Sequence, residues 1–588
     1  MNAHKRDWFL PALILLSLLV GAFTLRSYGE SWDDHSLRKY ANYSLRTYST
    51  WRTQGQMPIT TKDLGNYGPA YVMTVALLTR ALSILPIPAY DLRHLLYFLT
   101  HLLGVWAFYQ LGKRWLSLRA ARYATLLYVT QPLFWGHAFM NPKDTPFLAF
   151  FMLSLHFGLQ MIDQLGESGF PRQTAPTQTR LMLTGGIIAL AFFYLAPNLI
   201  RAIIESLVRA AAAGETNLVS LLASDIHSAA PEVYVQRYFT FFLWGRSLLF
   251  LLFLIPNFLI PNRLLPHILL PALLLGYTTS IRILAPFAGM LVALYALRKD
   301  GKRALPALMF YALIALAGMY ISWPYLWSDP IAHFIESAQT MSKYPWYGKV
   351  LFNGAEYSAD ALPYSYLPVL LAAQFTEPTW ILFFIGAVAA WKEHRAALAF
   401  SAVWFAAPLL GFILFHAKLY DNFRQIFFIL PPVFLLAGLG AENLLARLKL
   451  PALRIGAAAL LLLPGVLACV ELHPYQYVYY NSFVPNPSGK FELDYWAISY
   501  REAMNDVNRV APPNANVMVA GPGQVAELYA REDVTVLSDD EPNSAAFTYA
   551  VILARYGWDK TLYPEGEIVF TVERRGLRLA VVKRMGAK

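Results

Sequence analysis

The chain has 588 residues, of which 57% are hydrophobic and 14% are charged, and its mean hydropathy is +0.40. Globular proteins carry about 25% charged residues, so this composition indicates a membrane protein and excludes a disordered, collagenous or disulfide-stapled chain. The net charge of +11 comes from Lys and Arg in short clusters between apolar runs, which is typical of topology signals and argues against nucleic acid as a partner.

The motifs that the sequence lacks narrow the chemistry further. Cys469 is the single cysteine, so no disulfide and no paired-cysteine metal or redox site can form within the chain. We find no GxxxxGK[ST] loop, no GxGxxG motif opening a helix, no HExxH and no GxSxG. A nucleotide-driven pump and a soluble-type hydrolase therefore lack their usual parts.

The first apolar run covers residues 8–25 and follows Lys5 and Arg6, which predicts an uncleaved first span with a cytoplasmic N-terminus. The next run, residues 69–88, carries Arg80 and is bounded by prolines. If it crossed the membrane, the four basic residues between 113 and 122 would lie outside, so we interpret it as an interfacial segment.

The remaining apolar runs alternate in direction without conflict and bring the predicted total to thirteen spans. They cover residues 93–111, 120–135, 146–161, 181–197, 241–260, 264–280, 283–297, 304–322, a stretch ending near 391, 397–415, 426–445 and 455–470. The sequence thus predicts an all-α polytopic domain at 1–470, with extracytoplasmic loops at 26–92, 136–145, 198–240, 323–378 and 416–425.

The tail, residues 471–588, has a different pattern and is long enough to form a domain. Alternating runs predict short strands at 517–520, 534–537, 549–553, 568–572 and 577–582, with a helix at 524–531. Arg574-Arg575-Gly576 predicts the turn of a final hairpin. We therefore expect a small extracytoplasmic α/β domain.

Unusual polar residues converge on the predicted extracytoplasmic face. Asp33 and Asp34 follow the first span, and Asp144 lies at the mouth of the span that begins near 146. Ionisable groups at the membrane edge are costly unless they are used or paired, which makes them candidates for a site. A carboxylate can take a proton from a hydroxyl, and nearby cations can offset the charge on a departing phosphate.

Four short stretches carry a resemblance to a known family. The acidic pair Asp33-Asp34, the sequence from Asn141 to Phe147 and the Tyr420–Arg424 loop, with residues 492–502, resemble the GT-C superfamily of glycosyltransferases. More narrowly, they resemble bacterial relatives of protein O-mannosyltransferases and aminoarabinose transferases. The resemblance spans most of the chain and is specific in these stretches.

The resemblance implies inverting transfer of a hexosyl or pentosyl group from a polyprenyl-phosphate donor to an extracytoplasmic protein, lipid or glycan. It places the catalytic base at Asp33 and a second, assisting acid at Asp144. The family usually has Glu where this chain has Asp34, so either member of the pair stays a candidate. Cations that would hold the donor phosphate are Arg282, Arg38, Lys418 and Arg424. The implied location is the bacterial inner membrane, with the site on the periplasmic side.

Less specific interpretations stand beside these. Asp33, Asp34 and Asp144 could cap helices, and Lys418 and Arg424 could anchor the chain at the interface. The residues indicate no certain cofactor: an acidic pair could hold a divalent cation, but two or three carboxylates do not require one. The main rival function is a secondary transporter or lipid flippase of the cell envelope, and a second is a non-catalytic scaffold.

Overall fold

The computed structural model describes residues 7–54, 64–167, 192–194, 196–222, 230–258, 265–538 and 546–586. It divides into two compact units. Unit 1 comprises Met1–Lys39, Thr74–His156 and Ser342–Lys588, and unit 2 comprises Tyr40–Met73 and Phe157–Met341. Most described residues are helical, and a small sheet lies near the C-terminal end.

The described helices, numbered in chain order, have the following bounds. They are α1 Phe9–Thr24, α2 Asp34–Gln54, α3 Ala70–Ala81, α4 Ala89–Trp115, α5 Leu118–Val129, α6 Pro132–Met140, α7 Asp144–Glu167, α8 Pro197–Ala212, α9 Leu218–Leu222, α10 Pro231–Phe258, α11 Leu265–Thr279, α12 Pro286–Asp300, α13 Leu305–Ser322, α14 Pro330–Ser342, α15 Tyr366–Gln374, α16 Glu377–Glu393, α17 Arg395–Ser401, α18 Ala407–Leu414, α19 Pro431–Leu445, α20 Pro451–Glu471, α21 Tyr500–Val510, α22 Gly523–Glu527 and α23 Trp558–Thr561.

Among the described residues, six helical stretches are long and apolar enough to cross a membrane. They are Phe9–Ser27, Ala89–Trp115, Asp144–Gly166, Pro286–Ser322, Arg395–Leu414 and Pro451–Glu471. The pair α15 and α16, bent by 108°, would make a seventh if it forms one span. The chain is thus a multi-pass membrane protein. The total of thirteen spans stays a prediction, and the predicted span at 181–197 lies largely outside the described residues.

The predicted span at 120–135 is divided between α5 and α6. Pro132 disfavours a helical conformation at the preceding residue, and Gln131 is extended, with φ −74° and ψ 115°. The Gln131 side chain donates a hydrogen bond over 2.8 Å to the carbonyl of Gln374. The helix therefore ends and restarts at a polar contact that hydropathy alone does not reveal.

Glycines allow two helices of unit 1 to pack with their backbones in contact. A Cβ atom at Gly386 in α16 would lie 1.8 Å from the carbonyl oxygen of Leu436 in α19. A Cβ atom at Gly440 in α19 would lie 1.9 Å from the carbonyl oxygen of Leu382 in α16. Because the obstructing atoms are backbone, neither position can hold a side chain unless the helices separate.

We expect Gly440→Val to destabilise unit 1 by about 1–3 kcal/mol or more, since overpacking a tight interface forces backbone shifts. The measurement is the thermal unfolding midpoint of the protein in detergent. Gly456→Val in α20 is the matched control, because no heavy atom lies within 4 Å of a Cβ at that position. Equal midpoints for the two variants would contradict the close packing.

Unit 2 contains its own helix pair. A Cβ atom at Gly276 in α11 would lie 2.2 Å from the carbonyl oxygen of Ala315 in α13. The Ser280 hydroxyl, beyond the end of α11, donates to the carbonyl of Ser322 at 3.0 Å. Elsewhere in unit 2, Lys299 near the end of α12 pairs with Asp163 in α7 at 2.6 Å.

The predicted loop at 323–378 holds regular structure. It includes α14, α15 and a hairpin of strands β1 (Lys349–Phe352) and β2 (Ala355–Ser358). The sequence pattern did not predict these elements, because only short polar and aromatic runs separate the apolar segments in this region.

The C-terminal sheet has five strands: β3 Asn516–Ala520, β4 Thr535–Ser538, β5 Tyr549–Leu553, β6 Glu567–Arg574 and β7 Leu577–Arg584. Their spatial order is β4-β3-β5-β7-β6, with β3 parallel to β4 and β5, and β7 antiparallel to β5 and β6. All five predicted strands are confirmed to within a few residues.

The final hairpin turns at Arg575 and Gly576, whose φ angles are 52° and 75°. Two consecutive residues in the left-handed region form the tight turn that matches strand twist. The predicted helix at 524–531 is shorter than expected, because α22 ends at Glu527. Helix α21, which packs on the sheet, was not among the predicted elements. The boundary at residue 470 stays a prediction.

Candidate active site

Arg424 joins carboxylates from three stretches of unit 1 that are distant in sequence. Its Nη1 lies 2.9 Å from Asp144 Oδ2, and its Nη2 lies 2.9 Å from Asp421 Oδ2 and 3.9 Å from Asp33 Oδ2. The side chain is only 3% exposed. Asp33 and Asp144, predicted to share a site, therefore meet at one buried guanidinium. We call Asp33, Lys143, Asp144, Asp421 and Arg424 the Arg424 cluster.

Aromatic rings hold the guanidinium in place. The Arg424 Cζ lies 5.2 Å from the ring centre of Tyr420 and 4.9 Å from that of Trp496. Burial would lower the pKa of Arg424, but the Asp144 and Asp421 carboxylates outweigh it and hold that pKa above its ordinary value. The cation is thus permanently charged and fixed in position, which excludes a role as a mobile interface anchor.

Asp33 is the accessible carboxylate of the cluster. Its side chain is 30% exposed, and its Oδ2 lies 2.9 Å from Lys143 Nζ. Burial acts to raise the pKa of Asp33, but Lys143 and Arg424 lower it more strongly, so the net shift is downward. Asp33 is therefore an ionised carboxylate whose Oδ2 is buried beside two cations, while its side chain as a whole is part-exposed.

Asp34 has a different environment from its neighbour. It is buried, and its Oδ2 accepts hydrogen bonds from the backbone N–H and hydroxyl of Ser31 at 3.2 and 2.8 Å. Its Oδ1 accepts from the Tyr97 hydroxyl at 2.7 Å. These bonds fix the start of α2, so the Asp34 carboxylate serves the fold locally while Asp33 faces the cluster.

An Asn-based turn sets the second loop. The Asn141 Oδ1 accepts from the backbone N–H groups of Lys143 and Asp144 at 3.0 and 2.7 Å, and its Nδ2 donates to Asp144 Oδ2 at 3.1 Å. This turn begins α7 with Asp144 in its first turn, so Asn141 supplies the capping oxygen that was considered for Asp144, and the Asp144 carboxylate contacts Arg424. It also directs the Lys143 side chain towards Asp33.

The cluster continues into the C-terminal part of unit 1. Asp421 Oδ1 accepts from Arg555 Nη2 at 2.7 Å, and the same Nη2 donates to Glu492 Oε1 at 2.9 Å. Burial, the largest influence, raises the pKa of Glu492 to about 7 despite the Arg555 charge. Arg555 follows strand β5, so the sheet supplies a buried cation that braces Asp421.

Sequence reasoning missed four members of this arrangement. Lys143, Asp421 and Glu492 lie inside the stretches that resemble the family but were given no role, and for Lys143 and Asp421 the available signal was their position next to Asp144 and near Arg424. Arg555 carries no such signal, because it lies 134 positions from Asp421 in an ordinary strand-to-helix connection.

Two other predicted phosphate ligands, Arg38 and Lys418, contact side chains outside the Arg424 cluster. Arg38 is 3.6 Å from Glu30 and 3.4 Å from His35 Nδ1, and Lys418 is 3.9 Å from Asp360. Within the described ranges, no ion pair joins either cation to Asp33 or Asp144. Arg282 belongs to unit 2, and its role stays a prediction.

Histidine contributes to the wall of the site. His137 Nε2 is within 3.0 Å of the Tyr495 hydroxyl, and its Nδ1 is within 3.0 Å of Asn141 Nδ2. Burial lowers the pKa of His137 to about 3, so the ring is neutral. Across the part of the chain that the structure describes, no group of three or more His, Cys, Asp or Glu residues is arranged to hold a metal ion.

No family model and no curated protein matches the chain. Among solved structures, it is similar to the crystal structure of ArnT from Cupriavidus metallidurans bound to undecaprenyl phosphate, with 12% identity and a TM-score of 0.46, covering 98% of each chain. It is also similar to the Archaeoglobus fulgidus oligosaccharyltransferase in the apo form, with 16% identity and a TM-score of 0.39, over 93% of this chain and 62% of that one. A third similar structure is the oligosaccharyltransferase AglB from Archaeoglobus fulgidus with an inhibitory peptide and a dolichol-phosphate, at 13% identity and a TM-score of 0.40, over 93% of this chain and 70% of that one.

Proposed function

We propose that the protein transfers a hexosyl or pentosyl group, with inversion, from a polyprenyl-phosphate donor to a hydroxyl of an extracytoplasmic protein, lipid or glycan. The observation that carries this proposal is the placement of Asp33, a part-exposed carboxylate 2.9 Å from Lys143 and 3.9 Å from Arg424. This transfer needs a base that takes the acceptor's proton and cations that stabilise the negative charge on the leaving phosphate, and the site places a carboxylate beside two cations.

In the proposed reaction, Asp33 takes the proton of the acceptor hydroxyl as its oxygen attacks the anomeric carbon. The bond from that carbon to the phosphate oxygen breaks, and the polyprenyl phosphate leaves with the electron pair. Lys143 and Arg424 offset the negative charge that develops on the departing phosphate. Asp144 acts through Arg424, which it holds at 2.9 Å, and therefore positions the cation.

The geometry favours Lys143 and Arg424 as the phosphate ligands within unit 1. Lys143 is 14% exposed and its Nζ lies 2.9 Å from Asp33, so a phosphate placed beside the base would be close to its ammonium. Arg282, Arg38 and Lys418 remain proposed contacts for the rest of the donor. The proposed location is the bacterial inner membrane with the cluster on the periplasmic side.

The transporter or flippase alternative predicts a different result in one assay. Purified protein in lipid nanodiscs, given a polyprenyl-phosphate sugar labelled in the sugar, should move the label to an acceptor from an envelope extract. A nucleotide sugar in place of the lipid donor should give no product. If the intact labelled lipid crossed a vesicle membrane and no acceptor became labelled, the result would contradict the transferase proposal and support the transporter or flippase alternative.

We expect Lys143→Met to move the acid limb of the pH–rate profile to higher pH. In the wild type Lys143 helps to depress the pKa of Asp33, so activity should persist as pH falls below the ordinary range of an aspartate. Without Lys143, the pKa of Asp33 rises and protonation removes the base at a higher pH. The measurement is the initial transfer rate between pH 3 and 7, with the exposed Lys490→Met as control. If the acid limb did not move, Asp33 would not be the group whose protonation limits the transfer rate at low pH.

A further inference from the structure

A cavity of about 420 Å³ lies in unit 1, apart from the Arg424 cluster. Four stretches of chain line it: the start of α16 at Glu377, the last two turns of α20, residues 479–487 and the turn between β6 and β7. Its volume is within the range of about 300–1,000 Å³ that is typical of small-ligand sites.

The lining of this cavity is amphipathic. Pro464, Leu467 and Ala468 form an apolar wall from α20, one of the helices that can span a membrane. Leu467 and Val470 on the same helix are 47% and 70% exposed, so the apolar wall continues onto a surface that faces lipid. An occupant with one polar and one hydrocarbon end fits such a lining.

The polar wall contains two carboxylates, Glu377 and Glu471, and one guanidinium, Arg575, which is a net charge of −1. Arg575 pairs through Nε with Glu471 at 3.1 Å, and its side chain is 46% exposed, so its guanidinium lies where an anion can approach it. Glu377 accepts the backbone N–H of Ser482 at 2.8 Å. In the described portions of the chain, no cationic nitrogen lies within 4 Å of its carboxylate. The cavity therefore offers one position for a cation and one for an anion.

We propose that this cavity binds a phospholipid whose headgroup carries a primary ammonium. The ammonium pairs with the Glu377 carboxylate, the phosphate meets the Arg575 guanidinium, and the acyl chains leave along the apolar face of α20. A purely anionic headgroup would leave Glu377 facing a like charge, and a trimethylated headgroup could not donate hydrogen bonds to it.

The cavity shares a wall with the candidate active site. Tyr480 lines the cavity, and its hydroxyl lies 3.3 Å from Asn422 Oδ1 and 3.3 Å from the Glu492 carbonyl. Asn422 follows Asp421, and Glu492 pairs with Arg555. A lipid bound here would hold the β6–β7 turn against α20 and brace the residues that support Arg424.

The test compares the thermal unfolding midpoint of the full chain in nanodiscs of dioleoyl-phosphatidylcholine with and without dioleoyl-phosphatidylethanolamine. We expect the ethanolamine lipid to raise the wild-type midpoint by a few degrees, because a ligand that binds only the folded state stabilises it. Phosphatidylglycerol should give little or no rise, and the rise should become smaller with each N-methyl group added to the ethanolamine headgroup, because each one removes an N–H donor. Soluble phosphoethanolamine distinguishes recognition of the headgroup alone from recognition of the whole lipid.

Glu377→Gln should abolish the rise while keeping the acceptor oxygen for Ser482. Glu573→Gln, on exposed β6 and outside the cavity lining, is the matched control and should respond like the wild type. An equal rise in Glu377→Gln would overturn the proposal. If that variant is already unstable in phosphatidylcholine, native mass spectrometry of Arg575→Gln decides instead: retention of ethanolamine lipid at wild-type level refutes the site. Neither readout requires sugar transfer, so this inference and the proposed function fail independently.

Discussion

Asp33→Asn should reduce the rate of sugar transfer by about 10²–10⁴-fold, the usual contribution of a positioned general base. The amide keeps the shape of the side chain but cannot take the acceptor proton. The stability of this variant should fall less than that of Arg424→Met, because the Asp33 side chain is 30% exposed whereas that of Arg424 is 3% exposed. The measurement is kcat for label transfer together with the thermal midpoint of the same preparation.

Asp34→Asn provides the contrast at the adjacent position. Its carboxylate is buried and accepts bonds from Ser31 and Tyr97, so its main expected effect is a loss of about 1–3 kcal/mol in stability. The exposed Glu573→Gln should change neither quantity. If Asp34→Asn abolished transfer in a folded protein while Asp33→Asn remained active, the base would have to be reassigned within the pair.

The C-terminal sheet was predictable because its signal is local. Each strand alternates or forms a short apolar run, and Arg575-Gly576 supplies two residues that tolerate positive φ. The helical spans were predictable to the extent that they are straight and apolar. The break at Gln131 could not be predicted in this way, since the hydrogen bond of its side chain is to the carbonyl of Gln374, 243 positions away in the sequence.

The candidate site shows the same division between local and long-range information. The carboxylates at 33 and 144 stood out because charge is costly at the membrane edge. What the sequence could not show is the pairing: Arg424 reaches Asp144 across 280 positions, and Arg555 reaches Asp421 from the sheet. Nor could it separate Asp33 from Asp34, because adjacent residues at a helix start point in different directions and only packing decides which is buried.

Arg424→Met should have the largest effect on stability, with a loss of about 3–5 kcal/mol and of nearly all transfer activity. Removing one partner of a buried ion pair leaves the remaining charge uncompensated, which costs more than the pair itself contributes. Asp144, which also accepts from Asn141, would then lose the neighbouring positive charge in a buried position, and Asp421 would retain Arg555. Arg424→Lys should rescue little, since a single ammonium cannot bridge carboxylates as the guanidinium fork does.

The double variant Arg424→Met with Asp144→Asn distinguishes uncompensated charge from lost packing. If the charge of Asp144 causes most of the instability, the double variant should be more stable than Arg424→Met alone, with a coupling energy of about 0.5–3 kcal/mol. The measurement is the unfolding midpoint of both single variants and the double variant in the same detergent. Strictly additive losses would mean that Arg424 stabilises the site through its stacking on Tyr420 and Trp496 instead. Recovered stability without recovered transfer would then assign Arg424 a role in the chemistry beyond holding the fold.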